Sequence, residues 1–203
     1  MRYINMFGMM LVLSLGTVFL APYTGNNLPL KKWVVNENSS LSVNGSTNIN
    51  KFSCLIPAYG RIDTITLSKS VAEKGIVLSG SIDPSVGSFD CHNSGMTRQL
   101  QKTLNQKQFP LLHIRFLSLD RLPILTPRPQ LITGIVAIEI AGVSKHFEIN
   151  YQISQGAQNG LELLGSRTLT FSDFNLIPPT KLGGMIKTKD ELTVMFTLNI
   201  KAI

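Results

Sequence analysis

The chain has 203 residues, of which 43% are hydrophobic and only 15% are charged. This composition is too apolar for a disordered chain and too interrupted for a polytopic membrane protein, so it indicates a soluble globular protein of one domain or two small ones. The formal net charge is +7, but the basic residues are scattered, no run is denser than Lys31-Lys32, and no nucleic-acid-binding signature occurs. We therefore expect no nucleic-acid partner.

The first predicted element is a signal peptide at residues 1–21. A basic residue precedes an apolar stretch at 6–20, and small and turn-forming residues follow it. The stretch is shorter than the roughly 20 residues that span a bilayer. An uncleaved anchor remains the alternative. We expect a linker at 22–32 and one domain at 33–203, located in the periplasm or secreted.

The only two cysteines are Cys54 and Cys91. An even pair in an otherwise cysteine-free exported chain is usually oxidised, so we expect a disulfide between them. Two buried free thiols are the alternative if the export interpretation is wrong.

From Trp33 onward, apolar and polar residues alternate with a period of two, which places alternate side chains on opposite faces of a strand. The alternation is longest at 192–200. Further alternating segments lie at 33–43, 52–67, 76–82, 112–116, 131–140, 147–153 and 161–169. Turn-forming pairs separate them at Lys74-Gly75, Ala141-Gly142, Asn159-Gly160 and Gly183-Gly184. Regular strands with tight turns predict an all-β fold, an antiparallel sandwich or barrel.

One segment departs from this period. Met96, Leu100 and Leu104 recur at a spacing of four, which is one stripe of a helix, and Asn93 or Ser94 can cap its start. The sequence therefore predicts one helix over 93–104, whose stripe packs on the core or lines a ligand site.

The chain carries no recognisable catalytic motif. His92, His113 and His146 are far apart, and the last two occupy polar strand positions, so we expect surface histidines and no metal site. Apart from Asp190-Glu191, whose two carboxylates would point to opposite sides of a strand, the acidic residues lie singly at turns or outward strand positions, which argues against a general acid and base pair. We expect no enzymatic activity and no cofactor.

Four segments resemble the YceI-like family. They are SVNGSTNINKFSC at 42–54, MTRQLQKTLNQKQFPLLHIRF at 96–116, ITGIVAIEIAGVSKHFEINYQI at 132–153, and LTFSDFNLIPPTKLGGMIKTKDELTVMFTLNI at 169–200. The resemblance implies an extended lipocalin-like antiparallel β-barrel with one helix near an opening. It also implies an interior that holds a polyisoprenoid or another long amphiphile, and it carries over no catalytic residue.

The sequence is thus interpreted as a barrel that binds or carries a long apolar small molecule, such as an isoprenoid, a quinone or a fatty acyl chain. Strand phase and the helical stripe propose the ligand-binding residues Phe52, Leu100, Leu104, Phe116, Ile138, Phe147, Ile149, Leu163, Phe171, Val194 and Phe196. Peripheral membrane contact and a homodimer are further expectations. The alternative is an exported structural or stress-related barrel whose interior is packed by its own side chains.

Overall fold

The computed structural model describes residues 29–69, 75–124, 126 and 128–203. The predicted signal peptide at 1–21, most of the predicted linker and Lys74 lie outside the described residues. Within the described ranges, none of the helices is long and apolar enough to cross a membrane. The described chain folds into one α-helix, α1 (Ser94–Thr103), and the strands β1 (Pro29–Val35), β2 (Ser40–Thr47), β3 (Lys51–Ile56), β4 (Asp63–Lys69), β5 (Ile76–Ser79), β6 (Ser81–Ile82), β7 (His113–Leu119), β8 (Gln130–Ile140), β9 (Val143–Gln155), β10 (Leu161–Thr170), β11 (Thr180–Lys181) and β12 (Ile186–Ala202).

Eight antiparallel strands close into a ring in the order β1, β4, β5, β7, β8, β9, β10, β12. The ring closes because the last residues of β12 pair with β1, with Trp33 opposite Ala202 and Val35 opposite Ile200. The short strand β6 continues β5 along β7. The predicted antiparallel barrel is therefore confirmed, and the sandwich is excluded.

The hairpin of β2 and β3 extends the wall at one end of the ring. The strand β12 is 17 residues long, and its part upstream of the β1 contact pairs with β2, so that Val194 lies opposite Val43. The free edge of β3 is bonded to the segment 84–91, because Leu55 and Asp90 exchange two backbone hydrogen bonds of 2.8 Å. The predicted disulfide between Cys54 and Cys91 is present beside this bridge. We call this end of the barrel, which carries α1, the helical end.

The helix forms where the stripe predicts it. The side chain of Asn93 accepts a hydrogen bond of 3.0 Å from the backbone N–H of Met96, which satisfies one of the otherwise unpaired donors of the first turn. Leu100 and Leu104 are buried against the barrel. The helix is followed by Asn105, whose positive φ of 53° ends it.

Three of the predicted strands are each divided in the structure. The segment 76–82 breaks at Gly80, which has a φ of 153° and separates β5 from β6. The segment 33–43 breaks at 36–39, where Ser39 is buried and its hydroxyl accepts a 3.0 Å hydrogen bond from the backbone N–H of Asn199. The segment 52–67 breaks at 57–62, where Gly60 has a φ of 72°. The first strand also begins earlier than the alternation suggests, at Pro29. The turn at Ala141-Gly142, with φ values of 50° and 80°, is confirmed.

The buried apolar side chains form two clusters. The first, which we call the ring core, fills the closed ring and includes Trp33, Ile65, Ile132 and Tyr151. The second, which we call the helical core, lies under α1 between the β2–β3 hairpin and the segment 84–91. Side chains that pack against both clusters join them, namely Ile140, Leu176, Val194 and Phe196.

Candidate ligand-binding site

An apolar cavity of about 60 Å³ lies inside the helical end, beneath α1. Side chains from α1, from five strands and from the segments that join them form its wall, and among these lining residues only Thr170 is polar. The wall comprises Leu41, Val43, Phe89, Leu100, Leu104, Leu112, Ile114, Ile138, Ile140, Leu169, Thr170, Phe171, Phe174, Leu176, Leu192 and Val194. We call this space the chamber. Its lining can remove apolar surface from water but offers a ligand almost no hydrogen bonding.

A groove of about 100 Å³ lies next to the chamber, between α1, the β2–β3 hairpin and the β11–β12 hairpin. Its floor is apolar, with Phe52, Met96 and Ile186, and its rim carries polar side chains, including Gln99 and Lys181. Leu100 and Phe171 line both spaces, so these two side chains form the partition between groove and chamber. The groove is therefore positioned to serve as the entrance to the chamber once these two side chains separate.

The chamber is small in this conformation. A space of about 10 to 15 Å³ is enough for one water molecule, whereas pockets for drug-sized ligands measure about 300 to 1,000 Å³. At about 60 Å³, the chamber accommodates a short chain end. A longer chain needs Leu100 and Phe171 to move apart, which would join the groove to the chamber.

The structure places the predicted ligand-binding residues at three depths. Leu100, Leu104, Ile138, Phe171 and Val194 line the chamber, and Phe52 lines the groove. The buried side chains of Phe116, Ile149 and Leu163 lie in the ring core, below the chamber. Two predicted residues remain. Phe196 packs against both the ring core and the helical core. The ring of Phe147 lies 6.1 Å from the ring of Phe174 and 5.8 Å from the Arg167 guanidinium. Ligand contact by these eleven residues stays a prediction.

Several chamber residues were not predicted. Some, such as Leu41, Ile114 and Leu192, lie in the predicted strands but were not selected, and three others lie outside the segments that were used for strand phase. Phe89 belongs to the segment 84–91, and Phe174 and Leu176 belong to the turn after β10. Neither segment has a period-two pattern. The predicted disulfide was the available indication that the segment 84–91 lies at the chamber, because the bond between Cys91 and Cys54 places the residues before Cys91 beside the edge of β3.

Two aromatic rings near the chamber lie over glycines of the neighbouring strand. Gly45 faces Phe52 across β2 and β3, and Gly165 faces Phe196 across β10 and β12. A Cβ atom at either glycine would overlap the ring opposite it. The glycines therefore let the two rings pack directly over the neighbouring strand.

The turn that carries Phe171 and Phe174 is held by Asp173. Its carboxylate accepts a 2.9 Å hydrogen bond from the backbone N–H of Thr170, and Lys145 lies 3.1 Å away. The Thr170 hydrogen bonds, and then Lys145, lower the pKa of the Asp173 carboxyl. An ionised Asp173 thus stabilises the turn that carries Phe171, one of the two side chains of the partition.

One polar group is buried without a partner. The hydroxyl of Tyr151 lies in the ring core, and none of the residues in the described ranges hydrogen-bonds to it. Burial raises the pKa of this phenol, so the hydroxyl remains neutral.

A second polar cluster lies away from the chamber. His113 Nδ1 is 2.8 Å from Asp83 Oδ1, and the Tyr59 hydroxyl accepts a 2.6 Å hydrogen bond from the Asp83 N–H and donates to Asp63. Burial and the bond to Asp63 raise the pKa of Tyr59. This cluster ties the loop after β3 to the barrel. His92 and His146 are exposed, and no metal-binding group of three or more His, Cys, Asp or Glu side chains occurs in the part of the chain that the structure describes.

No family model matches the sequence, and a search of the curated proteins finds no match. Solved structures do match. The crystal structure of Burkholderia cenocepacia BcnA aligns with a TM-score of 0.59 at 15% identity, covering 82% of this chain and 99% of that one. A polyisoprenoid binding domain from Saccharophagus degradans, implicated in plant cell wall breakdown, aligns with a TM-score of 0.57 at 10% identity, covering 84% and 98%. These two matches show a shared fold, so the barrel with one helix that the YceI-like motifs predict is confirmed.

Proposed function

We propose that this protein binds a long apolar molecule, such as a polyisoprenoid, a quinone or a fatty acyl chain, in the chamber beneath α1. The observation that carries the proposal is the chamber wall, in which Thr170 is the only polar residue among the described residues that line it. The fold shared with a domain described as polyisoprenoid binding supports it. The lining residues that lie in the described part of the chain supply no carboxylate, imidazole or thiol to the chamber, which supports binding rather than catalysis.

The arrangement of groove and chamber suits an amphiphile. The tail enters the chamber, where each Å² of apolar surface removed from water contributes about 25 cal/mol. The head remains at the groove, where Gln99, Asn50 and Lys181 can contact it. Affinity therefore grows with the length of chain that passes the partition of Leu100 and Phe171, up to the capacity of the opened chamber.

We further propose that the protein works outside the cytoplasm. The disulfide between Cys54 and Cys91 supports this location, because such bonds persist in oxidising compartments. Cleavage of 1–21 after export to the periplasm or beyond is part of the same proposal. Peripheral membrane contact belongs to it as well, and homodimer formation stays a prediction.

A second function has support from a different observation. The ring core is filled by its own side chains, and the chamber has a volume of only about 60 Å³. These facts favour an exported structural or stress-related barrel that holds no ligand. The two functions differ in whether the protein carries stoichiometric lipid.

The test is to purify the protein from its own host, extract it with organic solvent and identify bound lipid by mass spectrometry. We expect about one apolar molecule per chain. Extracts without stoichiometric lipid, together with no binding of added polyprenol, quinone or fatty acid, would support the structural barrel instead.

A pair of variants locates the site. Val194 lines the chamber, and its neighbour Met195 points outward with 48% of its surface exposed. Val194→Trp fills the chamber and should lower lipid occupancy several-fold, whereas Met195→Trp should leave it unchanged. Equal occupancy in the two variants, measured on folded protein, would place the ligand elsewhere.

A further inference from the structure

Two hairpin tips lie side by side at the helical end. They are the turn between β2 and β3, at 47–50, and the turn between β11 and β12, at 182–185. Asn48 joins them with three hydrogen bonds: its side-chain amide donates to the Met185 carbonyl at 2.9 Å, its side-chain oxygen accepts from the Lys187 N–H at 2.9 Å, and its own N–H donates to the Lys187 carbonyl at 3.0 Å. The two tips therefore form one surface.

The two tips together present three large apolar side chains to solvent. Ile49 and Leu182 are each 66% exposed, and Met185 is 69% exposed. Single exposed apolar residues are ordinary on protein surfaces, but three on two joined tips are typical of an interaction site. Gly183 and Gly184, with φ values of 62° and 94°, form the turn that holds Leu182 and Met185 outward.

Positive charge surrounds these side chains. The segments 46–52 and 177–189 contain Lys51, Lys181, Lys187 and Lys189 and no acidic residue. Of the two acidic residues that follow, Asp190 is engaged by Ser172, whose N–H donates to Asp190 Oδ1 at 3.0 Å, and the exposed Glu191 lines a surface groove with Lys51. The four lysines therefore outnumber the acidic residues around the tips. Apolar tips among lysines complement an anionic bilayer, because the apolar side chains enter the interface while the ammonium groups meet lipid phosphates.

We propose that this tip surface, defined as Ile49, Leu182 and Met185 with their neighbouring lysines, docks on an anionic lipid bilayer. Ile49, Lys181 and Ile186 also line the groove, so docking would place the entrance of the chamber against the membrane. Exchange of a ligand between bilayer and chamber rests on the proposed function. Docking itself specifies the surface of the peripheral membrane contact proposed above, and it requires only the outer surface of the tips and no chamber ligand.

The experiment places a fluorescent reporter on the tip of the full chain. The only tryptophan, Trp33, is 3% exposed and gives a constant background. In Leu182→Trp, we expect a blue shift of the emission on addition of phosphatidylcholine vesicles that contain roughly one-quarter phosphatidylglycerol, and no shift with phosphatidylcholine alone. The control is Leu131→Trp, at a position on β8 that is 71% exposed. It should show no shift with either vesicle.

The reporter separates tip docking from attachment through the apolar segment at 6–20, because attachment alone would not bury a side chain at position 182. Absence of a shift in Leu182→Trp, or an equal shift in Leu131→Trp, would overturn the proposal. A shift that grows with protein concentration without vesicles would assign the tips to a second copy of the chain and would also overturn it.

Charge variants test the lysines independently. Lys181→Gln with Lys187→Gln should raise the concentration of anionic vesicles needed for half of the Leu182→Trp blue shift on the order of tenfold. The matched pair, Lys32→Gln with Lys201→Gln, lies near the closure of β1 on β12 and should leave that midpoint unchanged. If the two pairs shift the midpoint equally, the attraction depends only on the net charge of the protein, and the proposal that the tip surface binds the bilayer is contradicted. Because none of these readouts uses a chamber ligand, failure here is distinct from failure of the lipid extraction.

Discussion

Reduction of the disulfide should destabilise the protein by a predictable amount. Cys54 and Cys91 are 37 residues apart in the chain, so the bond closes a loop that includes β3 to β6 and the segment 84–91. In the chain-entropy model, a loop of this length restricts the unfolded state by about 4 kcal/mol at 25 °C. Both cysteines are buried, and two thiols fill nearly the same space as the disulfide, so packing should change little on reduction.

The assay compares urea unfolding of the oxidised chain with that of the same chain in a phosphine reductant. We expect the free energy of unfolding to fall by about 4 kcal/mol on reduction. The control is the double variant Cys54→Ala with Cys91→Ala, whose stability should not respond to the reductant. Thiol counting of the denatured chain should find no free thiol before reduction and two after it.

The result that would refute the reasoning is a loss below about 1 kcal/mol in fully reduced protein. It would mean that the unfolded chain keeps β3 close to the segment 84–91 without the covalent bond, so that the bond restricts little. Stoichiometric labelling of both cysteines in unreduced protein would instead contradict the disulfide itself.

Three further substitutions have defined expectations. Gly165→Ala forces the Phe196 ring from its place and should lower stability by about 1 to 3 kcal/mol in urea unfolding; an unchanged midpoint would show that the ring moves freely. Asp173→Asn should cost about 1 kcal/mol at neutral pH. Because the folded-state pKa of Asp173 is lowered, its carboxylate stabilises the fold above the unfolded pKa of about 3.9, and this stabilisation is lost as the pH falls through the folded-state pKa. The stability difference between Asp173→Asn and the unsubstituted protein should therefore vanish in acid. A difference that does not depend on pH would contradict this role of Asp173. Tyr151→Phe removes a buried hydroxyl without a partner among the described residues and should raise stability by about 1 kcal/mol, whereas a loss would reveal a bound partner.

The period-two pattern predicted most strands and their inward faces, but not where they end. In the segment 33–43, Trp33, Val35, Leu41 and Val43 are all buried, so the alternation of inward residues resumes in phase beyond the break. The chain leaves the sheet at 36–39 and then pairs with β12 again. This break depends on a hydrogen bond to the distant Asn199, and local periodicity carries no information about it.

Strand phase also predicts which side chains face the interior of the barrel, but it does not predict where along the barrel axis they lie. Phe116 and Val194 both face inward, yet one lies in the ring core and the other lines the chamber. Depth follows from register between strands, which is set by pairings between distant parts of the chain, such as that of β12 with β2. The helical stripe at Leu100 and Leu104 was more informative, because a single helix at one opening has only one end of the barrel to cover.

The two ends of the barrel should differ in local stability, and this difference suits the proposed function. Antiparallel pairing joins every neighbouring pair of strands in the ring, so opening it requires breaking many hydrogen bonds together. At the helical end, the edge of β3 is joined to the segment 84–91 by the Leu55–Asp90 bridge and the disulfide. Segments with few such bonds open at low free energy. The binding proposed above requires Leu100 and Phe171 to separate at this end while the ring stays closed, and the disulfide keeps β3 attached to the segment 84–91.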